Sequence, residues 1–178
     1  MTPEEYLLLE REAEEKSEYD DGVMYPLPGG TFDHSAIVAG LLSSLRSRVP
    51  PSCKVLASSM KVRIPGPTRF FYPDASIVCT TPELAYQEKD VLLNPSIVFE
   101  VLSPATEHRD RGRKFHSYQS IESLLEYVLV SAPYLIESYR RERDHLIYTK
   151  FEGREARLLL PSIGCEIALA DIYYQVAP

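Results

Sequence analysis

Glu100 stands in the middle of Ser96-Ile97-Val98-Phe99-Glu100-Val101-Leu102, a short run that is otherwise almost wholly apolar. Such a run reads as a central strand covered on both faces. An unpaired carboxylate buried there is very costly, so a bound cation, a basic partner or protonation must compensate it. Asp74 poses the same question inside Arg69-Phe70-Phe71-Tyr72-Pro73-Asp74-Ala75-Ser76-Ile77-Val78-Cys79-Thr80, a second long apolar stretch. Its proline predicts an edge, a bulge or the end of regular pairing, which exposes Asp74 at a bend. If the two strands are neighbours, both carboxylates can point into one cleft. Alternation groups Asp74 with Tyr72, Ser76 and Val78, and Glu100 with Val98 and Leu102; the sequence leaves open whether the two faces coincide. Two hard oxygen ligands with room for water suit Mg2+ or Mn2+ rather than zinc. The plain structural alternative is a buried ion pair between Glu100 and Lys61 or Arg63 on a neighbouring strand.

The elements that must position these residues are legible from pattern. The chain has 178 residues, 44% of them apolar, enough for one well-buried core, so residues 1–178 are expected to form a single domain. Thr2-Pro3-Glu4-Glu5 combines a cap, a proline at the first helical position and a capping box. Tyr6, Leu7, Leu9 and Ala13 give this helix one apolar face through about Lys16. Asp21-Gly22 is turn chemistry for a hairpin between Glu18-Tyr19 and Val23-Met24-Tyr25. A second helix starts near Asp33 as N-cap, carries Ile37, Val38, Leu41, Leu42 and Leu45 at helical spacing, and stops before Pro50-Pro51. Strands are expected at Cys53–Ser58, Met60–Ile64 and Phe70–Cys79, the last two joined by Pro65-Gly66-Pro67-Thr68, with a polar loop near residues 80–94. After the Glu100 strand come a helix from about Thr106 to Gln119 and a strand at Glu126–Ser131. Leu135–Arg140, Leu146–Phe151 and Arg157–Leu160 look like meander strands with Gly153 and Gly164 at turns. The order makes the fold α/β or α+β.

Charge and cysteines narrow the setting. Residues 1–21 hold nine acids and two bases, which accounts for the whole net charge of −7. The rest of the chain is balanced, so DNA binding is neither indicated nor excluded by charge. No stretch has the ~18 consecutive apolar residues of a membrane span, and the acidic start is unlike a signal or transit peptide. The expectation is a cytoplasmic protein with no membrane partner. Cys53, Cys79 and Cys165 are odd in number and widely spaced, which argues against a disulfide framework and a zinc knuckle. His34, His108, His116 and His145 show no zinc-ligand spacing; His34 reads as capping or packing. No Gly-rich phosphate loop, serine elbow or dinucleotide fingerprint is present.

Tyr72-Pro73-Asp74 followed after 25 residues by Glu100-Val101-Leu102 resembles the PD-(D/E)XK pattern of restriction-endonuclease-like enzymes. Several stretches resemble the Uma-two endonuclease family more closely. They are Glu15-Lys16-Ser17-Glu18-Tyr19 with Asp21-Gly22, His34, Ser59-Met60-Lys61-Val62, Tyr72-Pro73-Asp74, Phe99-Glu100-Val101-Leu102-Ser103-Pro104, Asp110-Arg111-Gly112-Arg113-Lys114-Phe115 and Pro161-Ser162-Ile163-Gly164-Cys165. The resemblance covers nearly the whole chain. It implies a four-stranded mixed core sheet flanked by helices, here with extra C-terminal meander strands, and a phosphodiesterase site dependent on Mg2+ or Mn2+. The lysine that the wider superfamily places two residues after the glutamate is replaced by Leu102. In the Uma-two pattern it has moved to the next helix, where Lys114 stands.

The implied enzyme is a nuclease acting on DNA rather than RNA. Asp74 and Glu100 would hold the metal, the main-chain carbonyl of Val101 would add a ligand, and Lys114 would orient water or stabilise developing charge. Glu18 matches a place where some superfamily members supply another metal-site glutamate; in so acidic a segment it reads equally as surface. Lys114 has its own plain reading, an i,i+4 surface pair with Asp110. Arg109, Arg111 and Arg113 form either a phosphate-gripping cluster or a solvated helix face. A homodimer would let such an enzyme span two strands. The rival is a catalytically inactive nucleic-acid-binding or protein-interaction module on a nuclease fold, with the carboxylates paired structurally and the acidic first helix as its contact surface. A lysine or arginine filling the space between Asp74 and Glu100 would favour that rival.

Overall fold

The computed structural model describes residues 1–27, 29–66 and 68–176. The first helix, α1 (Pro3–Glu12), begins with the expected capping box: Glu5 N donates to Thr2 Oγ1 at 3.1 Å and Thr2 N to Glu5 Oε2 at 2.7 Å. It ends four residues before Lys16, where Ser17 N turns back to the Glu10 carboxylate at 3.0 Å. Its buried face is Tyr6, Leu7 and Glu10, while Leu9 is exposed. Strands β1 (Ser17–Asp20) and β2 (Val23–Pro26) form the expected hairpin. Asp21 and Gly22 both have positive φ, 49° and 94°, as a two-residue turn of this hand requires. Helix α2 (Phe32–Arg48) is capped by Thr31, whose hydroxyl accepts from His34 N, rather than by Asp33. Asp33 sits in the first turn, where a negative charge favours the helix dipole.

Strands β3 (Lys54–Ala57), β4 (Lys61–Ile64), β5 (Arg69–Phe71) and β6 (Ala75–Val78) follow. The turn expected between the second and third includes Pro67, which lies outside the described residues. The stretch read as one strand from Phe70 to Cys79 is two. Pro73 offers no backbone donor, pairing stops there, and β5 and β6 join different sheets. The expected loop at 80–94 contains two short strands, β7 (Leu84–Ala85) and β8 (Val91–Leu92). Next come β9 (Ile97–Val101), β10 (Glu126–Ser131), β11 (Leu135–Glu142) and β12 (His145–Glu152); β11 and β12 are the first two strands of the predicted meander, and β10 pairs antiparallel with β11. Strand β13 (Arg157–Leu160) leaves that meander. It pairs instead with β14 (Cys165–Ala168) in a separate hairpin around Gly164, whose φ is 62°.

One six-stranded sheet runs β2-β1-β5-β4-β8-β7 and the other β12-β11-β10-β9-β6-β3. The four-stranded core implied by the resemblance is thus widened. The fold is mixed α+β. In the second sheet β9 and β10 are parallel, which requires a crossover between them; that crossover carries the helical segment 107–118. Ile97, Phe99 and Val101 pack with Ile37, Leu41 and Leu45 of α2, while Val98 packs with Phe71, Tyr118 and Leu129 on the opposite face. The Glu100 strand is therefore covered on both sides, as its composition required. Cys53 and Cys79 form a disulfide beyond the paired ends of β3 and β6. This overturns the reading of three separate thiols: residues 26 apart in sequence meet because their strands pair. Cys165 is free and buried. Among the described residues no helix is long and apolar enough to cross a membrane.

Candidate active site

The break at Pro73 sets Asp74 where the chain crosses from one sheet to the other. Strand β6 pairs antiparallel with β9, Ala75 opposite Phe99 and Ser76 opposite Val98. Carried one residue further, this register places Asp74 opposite Glu100, and opposite residues of a pair share a face. Both line one cavity of about 850 Å3. Asp74 Oδ2 accepts from Val101 N at 2.7 Å, and its Oδ1 lies 3.4 Å from His34 Nε2.

Residues Glu107–Arg109, Asp110–Lys114 and Phe115–Tyr118 run on as helix, the middle segment π-wound. Such local widening is frequent at functional sites. From it Lys114, 5% exposed, reaches Glu18 Oε1 at 3.0 Å, Glu100 Oε1 at 3.1 Å and Asp110 Oδ1 at 3.3 Å. The ion pair with Asp110 exists, but in the interior. Glu100 is paired by Lys114, and neither Lys61 nor Arg63 fills that role. Lys61 instead lies 2.9 Å from Asp90 and donates to Tyr72 Oη at 3.2 Å.

Glu18 is fully buried, which overturns its surface reading. Tyr72 N donates to its Oε1 at 2.9 Å, and Arg109 Nη1 lies 2.8 Å from its Oε2. The other arginines are also committed: Arg111 to Glu107 and Glu137, Arg113 to Asp20. The cluster in the sequence is neither a phosphate grip of free cations nor a merely solvated face.

Burial lifts the Glu100 carboxyl well above the usual carboxylate range. Lys114 opposes this, while Asp110, Asp74 and Glu18 push the same way as burial. Asp110 is raised too, again chiefly by burial. Burial would lower the Lys114 ammonium, but Glu100, Glu18 and Asp110 together raise it, so it stays charged. The Asp74 carboxylate raises the His34 imidazole against the effect of burial, and the Val101 carbonyl adds to the pull. Glu18, Glu100 and Asp110 thus surround Lys114, Arg109 also meets Glu18, and Asp74 faces His34, so four acidic side chains are gathered around two permanent cations.

Among the described residues no three His, Cys, Asp or Glu side chains converge into a complete cage for an ion. Asp74, Glu100 and Asp110 line the cavity with Val101 beside them, so the side chains there offer carboxylate oxygens. That hard-oxygen set fits an ion keeping several waters, as Mg2+ does, and the local excess of negative charge fits a divalent cation. Sequence reasoning missed two members of the site. His34 was read as capping or packing, yet its imidazole faces Asp74. Asp110 was read as a surface partner, yet it is 2% exposed.

The mixed α+β fold is shared with a solved structure from Anabaena variabilis ATCC 29413, on which the chain superposes with a TM-score of 0.78 at 20% identity, covering 98% of both chains. That structure is described as "a putative nuclease belonging to DUF820". The chain belongs to the Uma2 family, "Putative restriction endonuclease", whose family model matches residues 3–170. Two uncharacterized proteins of Synechocystis sp. PCC 6803 are similar to it. One is 33% identical across 99% of this chain and 93% of its own length, the other 29% identical across 89% and 91%.

Proposed function

We propose that the protein is a metal-dependent endonuclease that hydrolyses phosphodiester bonds of DNA. The observation that carries this reading is the pair of carboxylates Asp74 and Glu100 lining one cavity beside a buried lysine that contacts Glu100. Family membership supports it independently. Asp74, Glu100 and the Val101 carbonyl would hold Mg2+ or Mn2+. When bound, the ion neutralises phosphate charge and lowers the pKa of a coordinated water.

The remaining work falls to the chain's own residues. Val101 N and His34 orient Asp74 from two sides. Lys114, anchored by Glu100, Glu18 and Asp110, presents an ammonium that would exchange one of these partners to donate to the attacking water or to a phosphate oxygen at the reacting centre as charge develops. Glu18 already receives Tyr72 N, Lys114 and Arg109. It acts as the brace that holds Lys114 rather than as a ligand. Burial of Glu100 and Lys114 excludes bulk water and strengthens every interaction among them.

The close pair between Lys114 and Glu100 also fits a catalytically inactive nucleic-acid-binding or protein-interaction module. Calorimetric titration of Mg2+ and Mn2+ into wild type, Asp74→Ala and Glu100→Ala separates the two. Binding lost in both variants, together with DNA cleavage abolished by Asp74→Asn, is the expected result. Absence of binding to wild type, or cleavage retained by Asp74→Asn, rejects the catalytic assignment.

A further inference from the structure

The cavity around Asp74 and Glu100 has walls unlike a track for a DNA duplex. Phe32, Ser35, Ala39 and Leu42 recur at three- and four-residue spacing along α2 and so share one helix face. Ser35, Ala39 and Leu42 line the cavity. Phe32, 79% exposed, continues the same face outward from it. Among the described residues lining the cavity, Lys16 and Lys114 are the permanent cations, and Lys114 sits among three carboxylates at the reacting centre rather than in a row along a backbone. The nearby Arg109, Arg111 and Arg113 are each paired with acids, and the chain carries a net charge of −7.

Duplex binding draws its affinity from rows of lysine and arginine on two phosphate backbones. This surface offers no such row, and a duplex hides the flat faces of its bases. An unpaired strand offers those faces, and each base stacked on an aromatic side chain contributes ~1–3 kcal/mol with little demand on charge.

Building on the nuclease reading, we propose that this site takes an unpaired DNA strand, with a base stacked on Phe32, the neighbouring base against the apolar face of α2, and Lys16 at a flanking phosphate. Lys16 lines the cavity with its ammonium fixed on the Ser58 carbonyl at 3.0 Å and above the Tyr72 ring. One mobile strand can lower its phosphate to carboxylates as buried as Glu100, which a paired backbone resists because bending it inward breaks stacking.

The test is fluorescence anisotropy with a labelled mixed-sequence 15-mer, single-stranded or annealed to its complement, in Ca2+. Wild type is expected to bind the single strand about tenfold more tightly than the duplex. Phe32→Ala should lose about tenfold on the single strand, the loss of one stacked base, while Phe32→Tyr keeps the affinity. Phe32 is exposed, so its variants fold normally. Equal or tighter duplex binding, no binding of either probe, or an unaffected Phe32→Ala overturns the proposal. Cleavage in Mn2+ is followed in parallel. Strand preference without cleavage leaves this inference standing and rejects the nuclease reading, whereas cleavage without strand preference does the reverse.

Discussion

Three carboxylates face the Lys114 ammonium, so this side chain controls the charge state of the whole interior cluster. Removing one partner of a buried ion pair leaves the other charged and unpaired, at a cost of about 3–5 kcal/mol. Lys114→Met is therefore expected to lower the thermal midpoint and, on the proposed function, to abolish cleavage. On the proposed metal site, millimolar Mn2+ should raise the midpoint of the variant more than that of wild type, because the ion then replaces the missing positive charge. An unchanged midpoint in Lys114→Met would mean that the carboxylates are not coupled through the lysine. The residues show why the site was only half legible in sequence. Asp74 and Glu100 stood out because acids in apolar strands violate a physical rule. His34 violates none, and nothing in its spacing tells which carboxylate its imidazole will meet. The i,i+4 spacing of Asp110 and Lys114 was visible, but spacing does not reveal depth.

Elements were legible wherever a local rule acted alone. The capping box of α1, the Asp21-Gly22 hairpin turn and the end of α2 before Pro50 all follow from side-chain chemistry within a few residues. Tertiary competition explains the departures. Glu10 captures Ser17 N and shortens α1, and Pro73 divides one apolar run between two sheets. The pairing of β3 with β6 brings Cys53 to Cys79. Gly40 belongs to the same class. Within α2 it reads as a weak helix residue, and alanine would be the better helix former by about 1 kcal/mol. In the structure a Cβ at Gly40 would lie 2.1 Å from the Ile172 carbonyl oxygen of the terminal helix Leu169–Ile172. Gly40→Ala must push that helix away from the α2 face that also packs on β9. Net destabilisation of about 1–3 kcal/mol is expected from such overpacking. It would be read as a lower urea midpoint with an unchanged slope; a raised midpoint would mean that the contact relaxes freely.

Over the whole molecule, the acidity concentrated in residues 1–21 is tied to the first sheet by a network at its far side. Arg11 of α1 donates to both oxygens of Asp90 at 3.1 Å, and Lys61 of β4 lies 2.9 Å from the same carboxylate. The Lys61 ammonium also meets Tyr72, whose hydroxyl donates to Glu10 at 2.9 Å, so the network reaches back to the crossing at Pro73. Burial pushes the Asp90 carboxyl up, but Arg11 and Lys61 outweigh it and hold it at about 2 against an ordinary 3.8. A carboxyl depressed by folding stabilises the native state above its unfolded pKa, and that contribution disappears as pH falls through the folded value. Asp90 should therefore contribute about 2 kcal/mol at neutral pH, lost between about pH 4 and pH 2. Asp90→Asn keeps the shape and removes the charge. Its denaturation midpoint should lie below that of wild type at pH 7, approach it as the pH drops past 4, and meet it near pH 2. A gap that persists unchanged at pH 2 would assign the effect to packing instead of charge. High salt offers an independent check, since it screens exposed pairs more than buried ones. With Asp90 a quarter exposed, 1 M NaCl should narrow the neutral-pH gap without closing it.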